Sequence, residues 1–303
     1  MSKRLKGALL TSLAGICWGC SGTVGQYLFT YQGMDSKWLV PIRLGVAGII
    51  LLIFDFAREG AKTFDPWRSR TDAVLLLIYG IPGVAASQLL YFYCIQYSSA
   101  AVGTILQDLA PISILIVSCV LHRTAPSALQ ILSIALALTG VFLIVTRGRP
   151  GDLAVSPRAL ISGVCCCIGS TIYSFVSPVL QRRHSIYVLQ GWAFLLGGIF
   201  CALIFHSWTI DYTPNVMGIL GIAFVVVVGN IIAFCAYGIG LKYIGPETSI
   251  LYGFSEPVTA AVIAVAALGT PFTVFDFLGF ACIFLMIVLI SRKPKTATLP
   301  DRN

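Results

Sequence analysis

The sequence predicts an all-α integral membrane protein of ten transmembrane helices, built as two inverted five-helix repeats with both termini in the cytoplasm. Three observations predict it: scarce charge, ten apolar runs of spanning length, and lysines and arginines that alternate in density between those runs. Of 303 residues, 57% are hydrophobic and 11% charged, where a soluble domain is about a quarter charged. So few polar side chains cannot cover a water-soluble globule of this length, which leaves lipid as the solvent for most of the chain.

Apolar stretches bounded by polar or proline-containing breaks fall at 8–28, 38–57, 73–96, 100–121, 128–146, 158–180, 187–206, 214–240, 246–268 and 272–291. The first follows Lys3, Arg4 and Lys6, as a secretory signal would. It is long enough to span, however, and lacks a convincing small-residue cleavage site, so a retained helix is expected. Ser156-Pro157, Thr213-Pro214, Gly245-Pro246 and Thr270-Pro271 each put a proline where a first-turn N–H would be unpaired anyway, three of them behind a capping hydroxyl. The longest connection, Arg58 to Asp72, leaves no room for an extramembrane domain.

With the N-terminus inside, fifteen of the twenty lysines and arginines fall in cytoplasmic segments, and four (Lys37, Arg147, Arg149 and Arg158) fall outside. Arg43 lies within a helix. That bias places both chain ends in the cytoplasm and requires an even number of spans. The net charge of +8 points to no nucleic-acid partner, because the basic residues sit in loops and tails rather than along one face. All ten cysteines lie in apolar runs, so no disulfide framework is expected. Cys17 and Cys20 form a C-x-x-C without further ligands nearby, which favours packing over a metal or redox role. No cofactor is expected.

The chain also matches itself. A shift of 146 residues aligns Tyr91 with Tyr237, Tyr97 with Tyr243, Pro111 with Pro257 and Thr124 with Thr270. The expected organisation is a first repeat at 1–147, a second at 156–293 and a cytoplasmic tail at 294–303. Five helices per repeat is odd, so the second copy must enter from the opposite side, an architecture that places a substrate site near the midplane.

These residues resemble the EamA-type carriers of the drug/metabolite transporter superfamily, in the ten-helix form with two EamA repeats. The likeness covers essentially the whole chain. It rests on Trp18-Gly19, on Pro41-Ile42-Arg43-Leu44, and on Tyr97-Ser98-Ser99-Ala100-Ala101 leading to Pro111. In the second copy it rests on Tyr243-Ile244-Gly245-Pro246-Glu247 leading to Glu256-Pro257, with Thr273 and Gly279 in the last helix. The family often has an acidic residue after the fourth and ninth helices, where this chain has Arg123 and Thr270. The resemblance implies a secondary carrier of the inner (plasma) membrane, gradient-driven or facilitated, that moves amino acids, related metabolites or drugs, efflux included. It also implies a central cavity lined by helices one, three, four, six, eight and nine. The four-helix multidrug members carry an acid in the first helix. Here that helix has Cys17, Trp18, Cys20 and Ser21, which disfavours their proton-for-cation exchange.

Polar groups at bilayer depth are costly and therefore candidate site residues. Thr104, Gln107, Asp108 and Pro111 form one stripe of the fourth helix, read as cavity lining against the alternative of an interhelical clamp. Arg43 and Asp108 lie roughly 8 and 12 Å in from the same side, depths that permit a gating ion pair or a static one. Glu256 precedes the kink-forming Pro257, as Pro111 kinks the fourth helix. Glu256 shares a stripe with Ser249 and Tyr252 and is expected to contact or couple to substrate, or else to be satisfied by a hydroxyl or by Lys242. Gln88, Tyr91, Asn230, Tyr237 and the stripe Ser170, Tyr173, Ser174 and Ser177 offer amides, aromatics and hydroxyls to a solute, although Ser174 and Ser177 better suit close helix packing. Trp18 and Ser21 are expected in the cavity wall, and Trp38, Trp67 and Trp208 at membrane interfaces.

No phosphate-binding G-x-x-x-x-G-K-[ST] occurs. His122, His184 and His206 are scattered, so neither ATP drive nor a membrane metalloenzyme is expected. The partners expected are a small-molecule substrate, the lipid bilayer and protons as a candidate coupling ion, in a monomer or homodimer. The alternatives are an uncoupled facilitator or scramblase-like pathway and, behind it, an integral membrane enzyme. A reporter active only in the cytoplasm, fused to either chain end, should work at both. Activity at one end alone would contradict an even number of spans.

Overall fold

The computed structural model describes residues 2–147 and 154–290, except for the side chains of residues 122, 245–248, 250 and 290. Arg149 and the tail expected at 294–303 lie outside the described residues. Those residues contain no strand. Among the described residues nine helices are long and apolar enough to cross a membrane: Lys3–Thr30, Ser36–Arg68, Arg70–Gln96, Ala100–Leu121, Ala128–Thr146, Pro157–Gln181, Ile186–Phe205, Val216–Ile244 and Leu251–Leu268. Val274–Ile290, 17 residues long, is a shorter tenth. Large apolar side chains such as Ile53, Val120, Leu138 and Leu203 stand on the outside of the bundle, where lipid rather than water solvates them.

Only one of the four expected proline starts is realised. Ser156 accepts from the Ala159 N–H at 3.2 Å, and Pro157 is the first helical residue. The eighth helix begins instead at Val216, capped by Asn215, which accepts from the Gly218 N–H at 2.8 Å. The tenth begins at Val274, with Thr273 and Asp276 each accepting from the other's backbone N–H. A side chain that satisfies orphan N–H groups sets the start, so Thr213-Pro214 and Thr270-Pro271 fall in the connections. At Gly245-Pro246 no break occurs, and helical backbone runs through Ala233–Gly253.

The interruptions lie deeper, and they recur. The fourth helix splits into Ala100–Gln107 and Ala110–His122. The ninth is broken at Phe254, before Ser255–Leu268. A proline ring clashes with the carbonyl four residues earlier, and Gln107 and Gly253 are four residues before Pro111 and Pro257. Both breaks thus fall within four residues of a proline. The third and eighth helices each contain a π-helical segment, Tyr79–Ala85 and Val225–Ile232. Arg123 and Gly269 end the fourth and ninth helices in the left-handed region, at φ 52° and 63°. Each of these features recurs at the 146-residue spacing of the sequence repeat.

The principal contacts join the first helix to the eighth and ninth, the sixth to the third and fourth, the second to the seventh, and the fifth to the tenth. Exchanging each helix for its counterpart five places along maps this set onto itself. Without a hydrophobic drive between helices in lipid, close approach of small residues supplies the attraction. A Cβ on Gly198 would lie 2.6 Å from the backbone nitrogen of Gly45. One on Gly279 would lie 2.8 Å from the Gly140 carbonyl oxygen.

Polar contacts tie helix ends together at each face. At one face, Gln26 donates to Thr270 Oγ1 at 3.0 Å and accepts from the Ala100 N–H at 2.8 Å, while Arg147 pairs with Asp276 at 3.3 Å. At the other face, Asp72 receives Arg183 at 2.9 Å and lies 3.0 Å from His184 Nε2, and Asp55 accepts from Thr63 at 2.7 Å and from Ser185 at 3.0 Å. Substituting Gly198→Val should destabilise the purified protein by about 1–3 kcal/mol through overpacking. Gly253→Ala, with nothing within 4 Å of the added carbon, should leave the thermal midpoint in detergent unchanged. Equal midpoints for the two variants would contradict the close second-to-seventh packing.

Candidate functional site

The site is built around Arg43, seven residues into the second helix and only 1% exposed. Its Nε donates to Asn230 Oδ1 at 3.1 Å, and Nη2 donates to the same oxygen and to Gln88 Oε1 at 3.0 Å. Asn230 Nδ2 donates back to the Arg43 carbonyl at 3.3 Å. The guanidinium lies over the Phe92 ring, 3.9 Å from its centroid, within reach of a cation–π attraction. Nη1 has no partner. No carboxylate forms a salt bridge with Arg43 among the described residues, so the charge is held only by amide dipoles and a ring face. That arrangement is costly at bilayer depth.

Local backbone irregularity supplies the partners. Asn230 belongs to the π-helical segment of the eighth helix, and Gln88 follows that of the third by one turn. A π turn inserts a residue and re-aims the side chains around it, and such turns are frequent at functional sites. Asn230 is fully buried, so its amide must be satisfied by Arg43 or left at a cost.

A second polar group adjoins the first. Tyr91, next to Phe92, donates to Glu256 Oε1 at 3.3 Å, and Glu256 is 5% exposed. Gly22 of the first helix leaves space for the phenol, since a Cβ there would lie 2.6 Å from the Tyr91 hydroxyl oxygen. Gly19 approaches the Glu256 carbonyl equally closely. One turn away, Trp18 packs edge-on against Phe234 at 5.0 Å and tilted against Tyr237 at 5.2 Å, and its Nε1 has no partner. Ser21 faces Gly229, beside Asn230, and its Oγ is likewise buried without a partner.

On the sixth-helix side, Gln107 Oε1 accepts from Cys166 Sγ at 3.5 Å, and Ser87 and Ser170 are 3.0 Å apart. Tyr173 is half-buried, edge-on to Tyr79 at 6.5 Å. Ser174 donates to the Ser170 carbonyl within its own helix, and Ser177 accepts from Gln181. Asp108 sits at the break of the fourth helix with Oδ2 buried and unpartnered.

The structure therefore brings together Trp18, Ser21, Arg43, Gln88, Tyr91, Asn230, Tyr237 and Glu256 across the first, second, third, eighth and ninth helices. It does not join Arg43 to Asp108: in this conformation the guanidinium is held by Asn230 and Gln88. Glu256 is met by a hydroxyl, that of Tyr91. Tyr252 is 41% exposed and stands apart from the cluster. Phe92 carried no sequence signal, because one phenylalanine in an apolar helix is indistinguishable from core. Gln26 could have been found as a buried amide in the first apolar run, and was not.

Membrane-spanning helices that enclose charged side chains define a multi-pass membrane protein with polar groups reserved in its interior, as solute-moving proteins have. The chain matches the EamA-like transporter family over residues 5–146 and again over 157–292, and it belongs to that family as two repeats. It is 33% identical over 292 residues to the uncharacterized inner membrane transporter YicL of Salmonella typhimurium, covering 96% of this chain and 97% of that one. It is 25% identical over 264 residues to the uncharacterized transporter YetK of Bacillus subtilis, covering 84% and 79%. A solved crystal structure shares the fold at a TM-score of 0.67 and 17% identity, covering 93% of this chain and 95% of that one.

Replacing Asn230 by Leu strands a buried guanidinium and should cost about 1–3 kcal/mol. The double substitution Arg43→Met/Asn230→Leu should recover much of that loss, because neither partner is then left charged or polar. Unfolding midpoints that simply add would refute the coupling.

Proposed function

We propose that the protein is a secondary carrier that moves a small solute, an amino acid or related zwitterion, across the inner membrane by alternating access around the Arg43 cluster. The observation that carries this reading is the coexistence of a buried cation with a free donor, Arg43 Nη1, and two acids, Glu256 and Asp108, none of them bound to another. Opposite charges kept apart inside one bundle suit a ligand that brings its own pair: a carboxylate for Arg43 and an ammonium for Glu256 or Asp108. Trp18 and Tyr237 offer an aromatic wall, and the indole N–H and Ser21 hydroxyl are further groups free to bind it.

The two repeats are inverted relative to one another, with both chain ends cytoplasmic. Supporting this are the odd number of helices per repeat, the exchange pattern of helix contacts, and the excess of basic residues on the side of Lys3, Arg58 and Arg183. Motion runs through the broken fourth and ninth helices and the π-helical third and eighth. Discontinuous helices supply unpaired backbone groups and points of bending at the site. The polar contacts at the two faces, Asp72 with Arg183 and His184 on one and Arg147 with Asp276 on the other, are the closures that release in turn.

Reconstituted in liposomes, the wild type should accumulate a labelled amino acid, or exchange it, when a proton gradient is imposed. Arg43→Gln and Glu256→Gln should each abolish this while leaving the protein folded. Undiminished uptake after collapse of the gradient would replace coupled transport by a facilitator. Undiminished uptake in both variants would refute the site. The transported solute should also raise the melting point, by binding the folded form alone.

A further inference from the structure

A wide recess lies away from the Arg43 cluster, between the ninth and tenth helices. It is an apolar groove of about 710 Å³, walled by Phe254, Val258, Val262 and Val265 on one side and Phe277 and Phe284 on the other. The groove exists because the tenth helix packs on the fifth through Gly140 and Gly279 rather than closing on the ninth. Val262 and Phe277 are 61% and 64% exposed, so the groove opens sideways, towards the bilayer.

Its two ends differ in chemistry. The deep end is phenylalanine, with Phe254 and Phe284 rings 4.8 Å apart. From Phe254 to Val265 the ninth helix rises roughly 16 Å at 1.5 Å per residue, close to half of the roughly 30 Å hydrocarbon core. At the shallow end the groove meets a small recess that shares Val265 and contains Ser99, Thr270 and Arg147. Arg147 uses Nη2 on the Pro271 carbonyl at 3.1 Å and sets Nε 3.3 Å from Asp276 Oδ2 without a hydrogen bond, its side chain 32% exposed. A guanidinium has five N–H donors, so donors remain for an anion at headgroup depth.

We infer that this groove is a binding site for one phospholipid of the leaflet on the Arg147 side, its acyl chain between the ninth and tenth helices and its phosphate at Arg147. An apolar slot one leaflet deep, with a guanidinium, its paired carboxylate Asp276 and two hydroxyls at its mouth, matches that amphiphile along its whole length. A soluble zwitterion would leave the slot unfilled. The bound chain holds the ninth helix, whose break at Phe254 precedes Glu256, against the tenth. The site is independent of which solute the carrier moves.

The test is native mass spectrometry of the delipidated full chain exposed to micelles containing dioleoylphosphatidylglycerol. The wild type should retain one lipid under activation that strips the rest. Val262→Trp, which fills the groove, should lose it, and so should Val258→Phe, an independent obstruction. Arg147→Gln should hold it markedly less well. Leu138→Trp, on the exposed face of the fifth helix, should behave as wild type. Equal retention across all variants would overturn the site, and so would loss in Leu138→Trp as large as in Val262→Trp. Retention unchanged in Arg147→Gln would overturn the phosphate contact. A lipid-free dimer that Val262→Trp dissociates would assign the groove to a second copy and overturn the lipid, as would displacement of the lipid by the transported solute.

Discussion

A guanidinium enclosed by membrane-spanning helices, with no carboxylate among the described residues to neutralise it, is the constraint on which the arrangement depends. Burying a charge in hydrocarbon is tolerated only where partners are fixed in place. Arg43 finds them on the third and eighth helices, one in each EamA repeat. Three polar side chains and the Phe92 ring therefore lock helices that small-residue packing alone would hold loosely. The solution is incomplete, since one guanidinium nitrogen is unspent. In this the cluster differs from a fully satisfied clamp: a complete network rigidifies, whereas an open donor in a low-dielectric interior attracts an anion.

The backbone meets the same constraint by departing from regular helix at four depths. Two proline-induced breaks and two π-helical segments release carbonyls and re-aim side chains where the bundle encloses polar groups, which is where irregular backbone is tolerated in a membrane. Their recurrence at one spacing means that both repeats bend at equivalent points. Asn230 is in one of these segments and Glu256 follows one of the breaks, so a change of helix geometry acts directly on a partner of the guanidinium and on the acid that Tyr91 holds. The polar contacts at the two faces use different chemistry: a buried Asp72 shared by Arg183 and His184 at one, an amide bridge through Gln26 and an arginine–aspartate pair at the other.

Much of this was legible in the sequence. Apolar run length located ten helices because lipid imposes a length on each. The tyrosine and proline matches disclosed the repeat, and charged, amide or phenolic residues inside apolar runs pointed to Arg43, Gln88, Tyr91, Asn230 and Glu256 one by one. Their pairing was not legible. Their depths permitted a pair between Arg43 and Asp108, but depth constrains one coordinate, and rotation about the helix axis decides the partner. The π turns re-aim Gln88 and Asn230 towards the guanidinium; Gly80, Pro82 and Gly83 mark the irregularity at 79–85, whereas the aliphatic run at 225–232 does not announce its own. Helix starts were missed for a related reason: proline permits a start, whereas a side chain that accepts from the orphan N–H groups determines it, as Asn215 and Thr273 do. Tyr252 had the right spacing from Glu256, but the break at Phe254 intervenes and the helical stripe does not continue across it.

The most direct measurement is an experimental structure with the transported solute bound. The acid group of the solute should lie within hydrogen-bonding distance of Arg43 Nη1, its cationic end towards Glu256 or Asp108, and Trp18 against its side. A solute seated elsewhere, with Arg43 still closed by Asn230 and Gln88 and its remaining nitrogen bare, would contradict the assignment of this cluster as the site.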